Sequence, residues 1–517
     1  MIRSTGRFFS LFLVLVLGLL LCVRLSYRHI PFERDEGEYA YAGSLLLHGH
    51  LPYQDAYNMK FPGTYAMYAL LMKIGGESIE AVRVGVFLLI ALTLFGIGRI
   101  AYLLTRNLNA ALLAAAVFTA LTNTISGEGL MANSEHFVNL FVVFGILFLL
   151  KFTVEQKGLL NIFVSGVLLS CAVVMKQYGY TFCIFSFVVL LFNLFGRPLG
   201  YIIRAVFAFA LGLVIPVALL FLWVASNGLW QKFYFFTIQY ALAYVNMARG
   251  NFGQAIGKIS FSIPSLCVLI IISLLVLLFS GVQKNARFLI GWLLFSLIAL
   301  STGFYFRIHY FLLIYPVLGV ITAFAYNRIT GVFNKLAVNS VVAILLVLFF
   351  VMSSKEQFAS DRQNVFNHHY EWSMFAGMPA VAAHIDSLIP PSDKLSLFSE
   401  EPELFFYSHH VAASGYIYTY PFFENQVYAR TMLEEYISQV EANPSRLFVY
   451  HSGSIQDDNP ETRKRFEQWW AAYSKNFNLT GIYYATSATG GAFMSKEELE
   501  KNKDWQNYLR IEFWMKK

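Results

Sequence analysis

The chain has 517 residues, of which 57% are hydrophobic, 17% aromatic and only 13% charged, with a formal net charge of +7 and a mean hydropathy of +0.55. Soluble domains are about 45–50% apolar, so this composition, spread over many near-continuous apolar runs, excludes an ordinary water-soluble enzyme and reads as a polytopic membrane protein. The basic residues are scattered between the runs with no aromatic-interleaved basic stripe, so the charge reads as cytoplasmic-loop bias and contact with anionic membrane lipids, with no nucleic-acid partner.

The first apolar run, residues 8–23 behind Arg3 and Arg7, reads as an uncleaved signal anchor, since no small-residue cleavage pattern follows it. Further spans are expected over residues 79–104, 110–125, 136–150, 160–174, 178–195, 202–225, 263–279, 288–302, 310–325 and 338–352. That makes about eleven. With Arg3 and Arg7 inside, every expected cytoplasmic loop is basic: Arg106, then Lys151 and Lys157, Arg197 and Arg204, Lys284 and Arg287, and Arg328 and Lys335. The N-terminus is therefore expected in the cytoplasm of a multi-pass cell (inner) membrane protein, with the tail from Ser353 outside. Cys22, Cys171, Cys183 and Cys267 lie in apolar runs without CxxC spacing or nearby His, so neither a disulfide framework nor a zinc site is expected.

The first outer loop, residues 24–78, is long, and residues 36–47 and 65–74 within it read as short amphipathic helices lying along the membrane interface. An aromatic segment over residues 230–247 precedes the eighth span. Beyond residue 352 charge and proline return: residues 395–398, 446–450 and 481–485 read as strands, and residues 379–388, 424–439 and 462–473 as helices. The expected fold is mainly α and polytopic, with a transmembrane catalytic domain over residues 1–352 and a soluble extracytoplasmic α/β domain over residues 353–517.

The stretch from Phe32 to Gly63 concentrates scarce charge, with Glu33, Arg34, Asp35, Glu36 and Glu38 in near succession. Asp35 suits a helix N-cap with Glu38 as its capping-box partner, and it equally suits a general base held rigidly at the membrane surface. Glu135, at the start of the fourth span, suits either a first-turn carboxylate favoured by the helix dipole or a second site acid. The topology brings Asp35, Lys60, Glu128, Glu135, Lys176, Arg249, Lys258, Arg307 and His309 to the outer side. Each cation alone reads as a snorkelling side chain; Lys60, Lys176, Arg307 and His309 together, facing carboxylates, suit an anionic headgroup such as a phosphate. A base, several cations and a membrane fit sugar transfer from a lipid phosphate: a carboxylate draws the proton from the incoming hydroxyl, and cations offset charge on the leaving phosphate.

The segments RDEGEYAYAG, NMKFPG, ANSEHF, MKQYGY and RIHYFLLIYP, with FSEEPELFFYSHHVAASGYIYTYP in the tail, together resemble the integral-membrane glycosyltransferases of the GT-C fold. The resemblance is to the bacterial branch related to protein O-mannosyltransferases and the aminoarabinose transferase of lipid A. It implies a polyprenyl-phosphate sugar as donor, inversion at the anomeric carbon, and transfer of a single sugar to a glycan, lipid or protein acceptor at the outer face. It implies a catalytic aspartate at Asp35 with Glu36 beside it, a second acid at Glu135, a donor-phosphate lysine at Lys60, and the Arg307 and His309 pair. Met59 stands where some relatives carry an acidic residue, and one proline follows Phe61 where relatives often have two; no metal ligand is assigned, and a divalent cation is left open. The alternative of a different class is a lipid-linked-sugar flippase without chemistry, for which polar paths through mid-span are expected and not found.

Overall fold

The apolar runs, punctuated by short basic loops, dictate a bundle of helices. The computed structural model describes residues 2–124, 128–248, 264–280, 283–369, 374–455, 458–487 and 490–517. A helix stands at each position expected for a span: α1 (Ile2–Ser26), α4 (Ile79–Thr105), α5 (Leu108–Thr122), α6 (Ser134–Thr153), α7 (Leu159–Met175), α8 (Tyr180–Leu194), α9 (Leu199–Ser226), α10 (Pro264–Phe279), α11 (Lys284–Ser301), α12 (Tyr315–Ile329) and α13 (Lys335–Met352). Between α1 and α4 lie α2 (Arg34–Leu47) and α3 (Gly63–Gly75). Among the described residues seven helical segments are long and apolar enough to cross a membrane, and Leu108–Thr122, Leu159–Met175 and Cys267–Phe279 are shorter apolar helices. The chain is thus a multi-pass, mostly helical membrane protein. Arg249 and Lys258 lie outside the described residues.

Two departures bear on the site. The segment expected as a single span over residues 310–325 begins as a 3-10 turn, Ile308–Leu313, and only then becomes α12. Phe304 and Phe306 take left-handed φ angles of 58° and 47°, costly for bulky side chains, and Pro316 marks where the α-helix starts. Arg307 sits on this irregular connection and His309 on the turn that follows. The second departure is α2, which was expected half-exposed along the interface. It is buried over most of its length between α3 and a later helix, Glu403–Tyr407. Gly37 makes this possible, because a Cβ there would collide with Glu403.

After α13 come α14 (Met378–Leu388), α15 (Glu403–Tyr407), α16 (Ala429–Ala442) and α17 (Pro460–Tyr473). They accompany a five-stranded sheet of β1 (Ser396–Phe398), β2 (Leu447–His451), β3 (Phe477–Ser487), β4 (Gly490–Ser495) and β5 (Arg510–Lys516), in the order β1-β2-β5-β3-β4. β1 and β2 are parallel; the other pairs are antiparallel. The expected strands fall on β1, β2 and β3, while β4 and β5 were not read from the sequence. Phe398, Tyr436, Phe448, Phe466 and Trp469 form the core here, and the cluster continues into Tyr57, Phe236 and Tyr240 from the preceding chain. This shared aromatic seam holds the tail against the segment between α1 and α4, through Tyr57, and against the segment that follows α9, through Phe236 and Tyr240.

Candidate active site

The start of α2 sets the site. Glu33 is extended (φ −80°, ψ 174°), and its carboxylate accepts from the backbone N–H groups of Asp35 and Glu36, each at 3.0 Å. Glu36 Oε2 accepts from the Glu33 N–H at 3.2 Å. The capping box is therefore Glu33 with Glu36, not Asp35 with Glu38. The helix begins at Arg34, so Asp35 falls inside the first turn and its side chain is released from capping. Glu36 is placed apart from Asp35. It is fully buried, Arg83 Nη2 reaches it at 2.8 Å, and the Ala132 N–H donates to it. Its carboxylate is spent on bracing α2 against α4 and does not line the cavity.

Asp35, Glu38, Lys60, Lys176, Arg307 and His309 line a cavity of about 580 Å³. Lys60 Nζ donates to Asp35 Oδ1 at 3.0 Å and to Glu38 Oε2 at 2.7 Å, and stands 4.5 Å from the centre of the Tyr39 ring. His309 Nε2 is 3.7 Å from Asp35 Oδ2, while its Nδ1 is 2.6 Å from Glu128 Oε2. Burial alone would raise the Asp35 carboxyl, but the charges of Lys60, His309 and Lys176 outweigh it and hold Asp35 well below the ordinary carboxylate range. For Glu38 burial wins over Lys60, and the group is raised. The two carboxylates that share Lys60 are thus unequal: Asp35 is the anion, and Glu38, fully buried, is the partner pushed toward its neutral form.

Lys176 ends α7, and its Nζ donates to Glu135 Oε1 at 2.7 Å, with Tyr178 Oη donating to the same oxygen at 2.5 Å. Glu135 has no exposed surface and does not line the cavity. Glu135, expected as a second site acid, thus pairs with Lys176 and is not part of the cavity wall. Arg307 Nη2 lies 3.5 Å from Tyr244 Oη, and its guanidinium packs over Tyr305 at 5.5 Å. Among the described residues no group of three or more His, Cys, Asp or Glu is arranged to hold a metal ion.

The tail closes the remaining wall. Tyr418 Oη donates to Glu38 Oε2 at 3.0 Å, the Phe32 N–H donates to Tyr407 Oη at 2.7 Å, and the Ala412 N–H donates to Tyr41 Oη at 2.9 Å. Glu400, Glu424, Tyr418 and Tyr420 line the cavity with the first-loop residues. Burial raises Glu400 to about 7 despite the charge of Arg34 and a hydrogen bond from Thr419. Burial likewise raises Glu424 to about 8, against a hydrogen bond from Tyr240.

No family model matches the chain, and no curated protein matches it. Solved structures do. ArnT from Cupriavidus metallidurans in the apo state superposes with a TM-score of 0.60 at 15% identity, over 95% of this chain and 98% of that one. The same protein bound to undecaprenyl phosphate gives 0.57 at 14% identity, over 93% and 97%. The arabinofuranosyltransferase AftD from Mycobacteria gives 0.53 at 12% identity, over 98% of this chain and 40% of that one. The chain has the GT-C fold. On this GT-C scaffold Asp35, Lys60, Lys176, Arg307 and His309 come together from four separate parts of the sequence, as expected from it, whereas Glu36 and Glu135 stand behind them. Glu38, Glu128, Glu400 and Glu424 were not assigned to the site. Glu400 carried the same signal as the first loop, a cluster of carboxylates in an apolar setting (Glu400, Glu401, Glu403); Glu424 had no such mark.

Proposed function

We propose that the chain is an inverting glycosyltransferase that moves a single sugar from a polyprenyl-phosphate donor to an acceptor at the outer face of the cell membrane. The observation that carries this reading is a carboxylate anion, Asp35, in one cavity with Lys60, Lys176, Arg307 and His309. The eleven helices at the expected positions cross the membrane, the N-terminus is cytoplasmic, and residues 353–517 form an outer domain over the cavity. ArnT was crystallised with undecaprenyl phosphate, which supports a lipid-linked donor for a cavity of this fold.

The reaction needs three things. The acceptor hydroxyl gives its proton to Asp35 as its oxygen bonds to the anomeric carbon. The bond from that carbon to the phosphate oxygen breaks, and the electron pair leaves with the phosphate. Lys60, Lys176, Arg307 and His309 offset the charge gathering there. In the resting site Lys60 and His309 are spent on Asp35, which makes it a weak base. A donor phosphate draws these cations toward itself, so Asp35 becomes more basic when the donor is present. Glu36 and Glu135 are positioning residues, one for α2 and one for Lys176.

Incubating the reconstituted protein with radiolabelled undecaprenyl-phosphate sugars and membrane extract tests the reading. Uptake of label by a lipid, glycan or protein is expected. Binding of the donor with movement across the bilayer and no transfer would instead support a flippase.

A further inference from the structure

A second group of residues on the cavity wall is built for something other than a phosphate. Glu400 is 6% exposed; its Oε1 accepts from Thr419 Oγ1 at 2.8 Å, and its buried Oε2 has no hydrogen-bond partner at normal geometry, although the Tyr420 N–H lies near the carboxyl. A buried acceptor left unmade costs free energy until a donor arrives. Glu424, half-buried, accepts from Tyr240 Oη at 3.0 Å. Beside these carboxylates the rings of Tyr244 and Tyr305 stack with centroids 4.2 Å apart, and Tyr420 lies 6.4 Å from Tyr244. Arg307 touches Tyr244 at one end of this group, so the group begins where the phosphate-binding cations stop. A sugar joined to that phosphate would enter next. Its hydroxyls are donors for carboxylate oxygens, and the apolar face of its ring packs on aromatic surface.

We propose that Glu400, Glu424 and the wall of Tyr244, Tyr305 and Tyr420 form the subsite for the donor's sugar. Glu400 and Glu424 bind ring hydroxyls, and the tyrosines take the ring face. The subsite rests on the transfer reading above and assigns hydroxyl recognition to Glu400 and Glu424 of the tail, more than 360 residues along the chain from Asp35.

The test is binding to the full chain in nanodiscs of bare undecaprenyl phosphate and of undecaprenyl phosphate carrying neutral hexoses or pentoses, for wild type, Glu400→Gln and Glu424→Gln. At least one sugar lipid is expected to bind wild type more tightly than the bare lipid. Each variant is expected to lose about tenfold of that affinity, the share of one hydrogen bond, with bare-lipid affinity kept. Bare-lipid binding reports an intact site, and the half-buried Glu424 supplies the test if Glu400→Gln does not fold. Unchanged sugar-lipid affinity in the folded variants overturns the subsite. So does a wild type that binds bare and sugar-bearing lipid equally, although the phosphate site then stands. A wild type that binds neither overturns the transfer reading together with the subsite.

Discussion

Replacing Lys60 by Met removes a cation that Asp35 and Glu38 share. The ammonium lies 3.0 Å from Asp35 and 2.7 Å from Glu38, and the Glu38 side chain is 0% exposed, so water cannot take its place there. Breaking a fully buried ion pair from one side costs about 3–5 kcal/mol. The Lys60 and Asp35 side chains are 15% and 26% exposed, which discounts the Asp35 contribution, and a loss of about 2–4 kcal/mol is expected. Unfolding of the detergent-solubilised protein measures it, for Lys60→Met, Glu38→Gln and the double variant. Glu38→Gln removes a buried carboxylate that Lys60→Met leaves without its hydrogen-bond donor, so the double variant should recover about 1–3 kcal/mol of the summed losses. It should still bind the lipid phosphate more weakly than wild type, because one of the four cations is gone. Strictly additive losses, or a Lys60→Met protein as stable as wild type, would refute the shared pairing.

Three other predictions follow from the same contacts. Gly37→Val drives a side chain into Glu403; it should cost about 1–3 kcal/mol, speed limited proteolysis of the tail and depress transfer, and unaltered proteolysis would count against the close approach of α2 and α15. Arg83→Met strands the buried Glu36 and should lower stability by about 3–5 kcal/mol, whereas folded Glu36→Gln should retain turnover within about tenfold of wild type because Glu36 holds no reacting atom; a null Glu36→Gln enzyme would return Glu36 to the chemistry. Finally, Glu400 and Glu424 titrate near 7 and 8 in the fold against an ordinary value of 4.5. Between those limits the folded chain binds more protons than the unfolded one, so their contribution to stability falls as pH rises through this window and levels off above it. The Glu400→Gln/Glu424→Gln double variant should flatten that fall in a pH series of unfolding midpoints, and an unchanged slope would contradict the assignment.

Much of the fold is legible because burial in lipid demands continuous apolar helices, and the basic loops mark their ends. Asp35, Lys60, Lys176, Arg307 and His309 are legible for the complementary reason, as ionisable groups are scarce in such a chain. Sequence does not say which way a carboxylate points. Asp35, Glu36 and Glu38 are near neighbours, yet Asp35 and Glu38 share Lys60 on the cavity wall while Glu36 is bound by Arg83. The capping box moved because Glu33 and Glu36 satisfy the same spacing as Asp35 and Glu38, and the extended backbone at Glu33 decides between them. The tail's share of the site was hidden for a different reason. Tyr418 reaches Glu38 across 380 positions, and no local pattern encodes such a contact. The missed strands β4 and β5 are held by pairing with β3 and β2, which short segments do not announce by themselves.

The most direct test of the account is transfer by Asp35→Asn. The variant keeps the size and polarity of the side chain, and it removes only the anion placed between Lys60 and His309. Sugar transfer from a radiolabelled undecaprenyl-phosphate donor, measured beside donor binding, should fall by about 10²-fold or more while donor binding persists. Turnover within about tenfold of wild type in a folded Asp35→Asn protein would contradict Asp35 as the base.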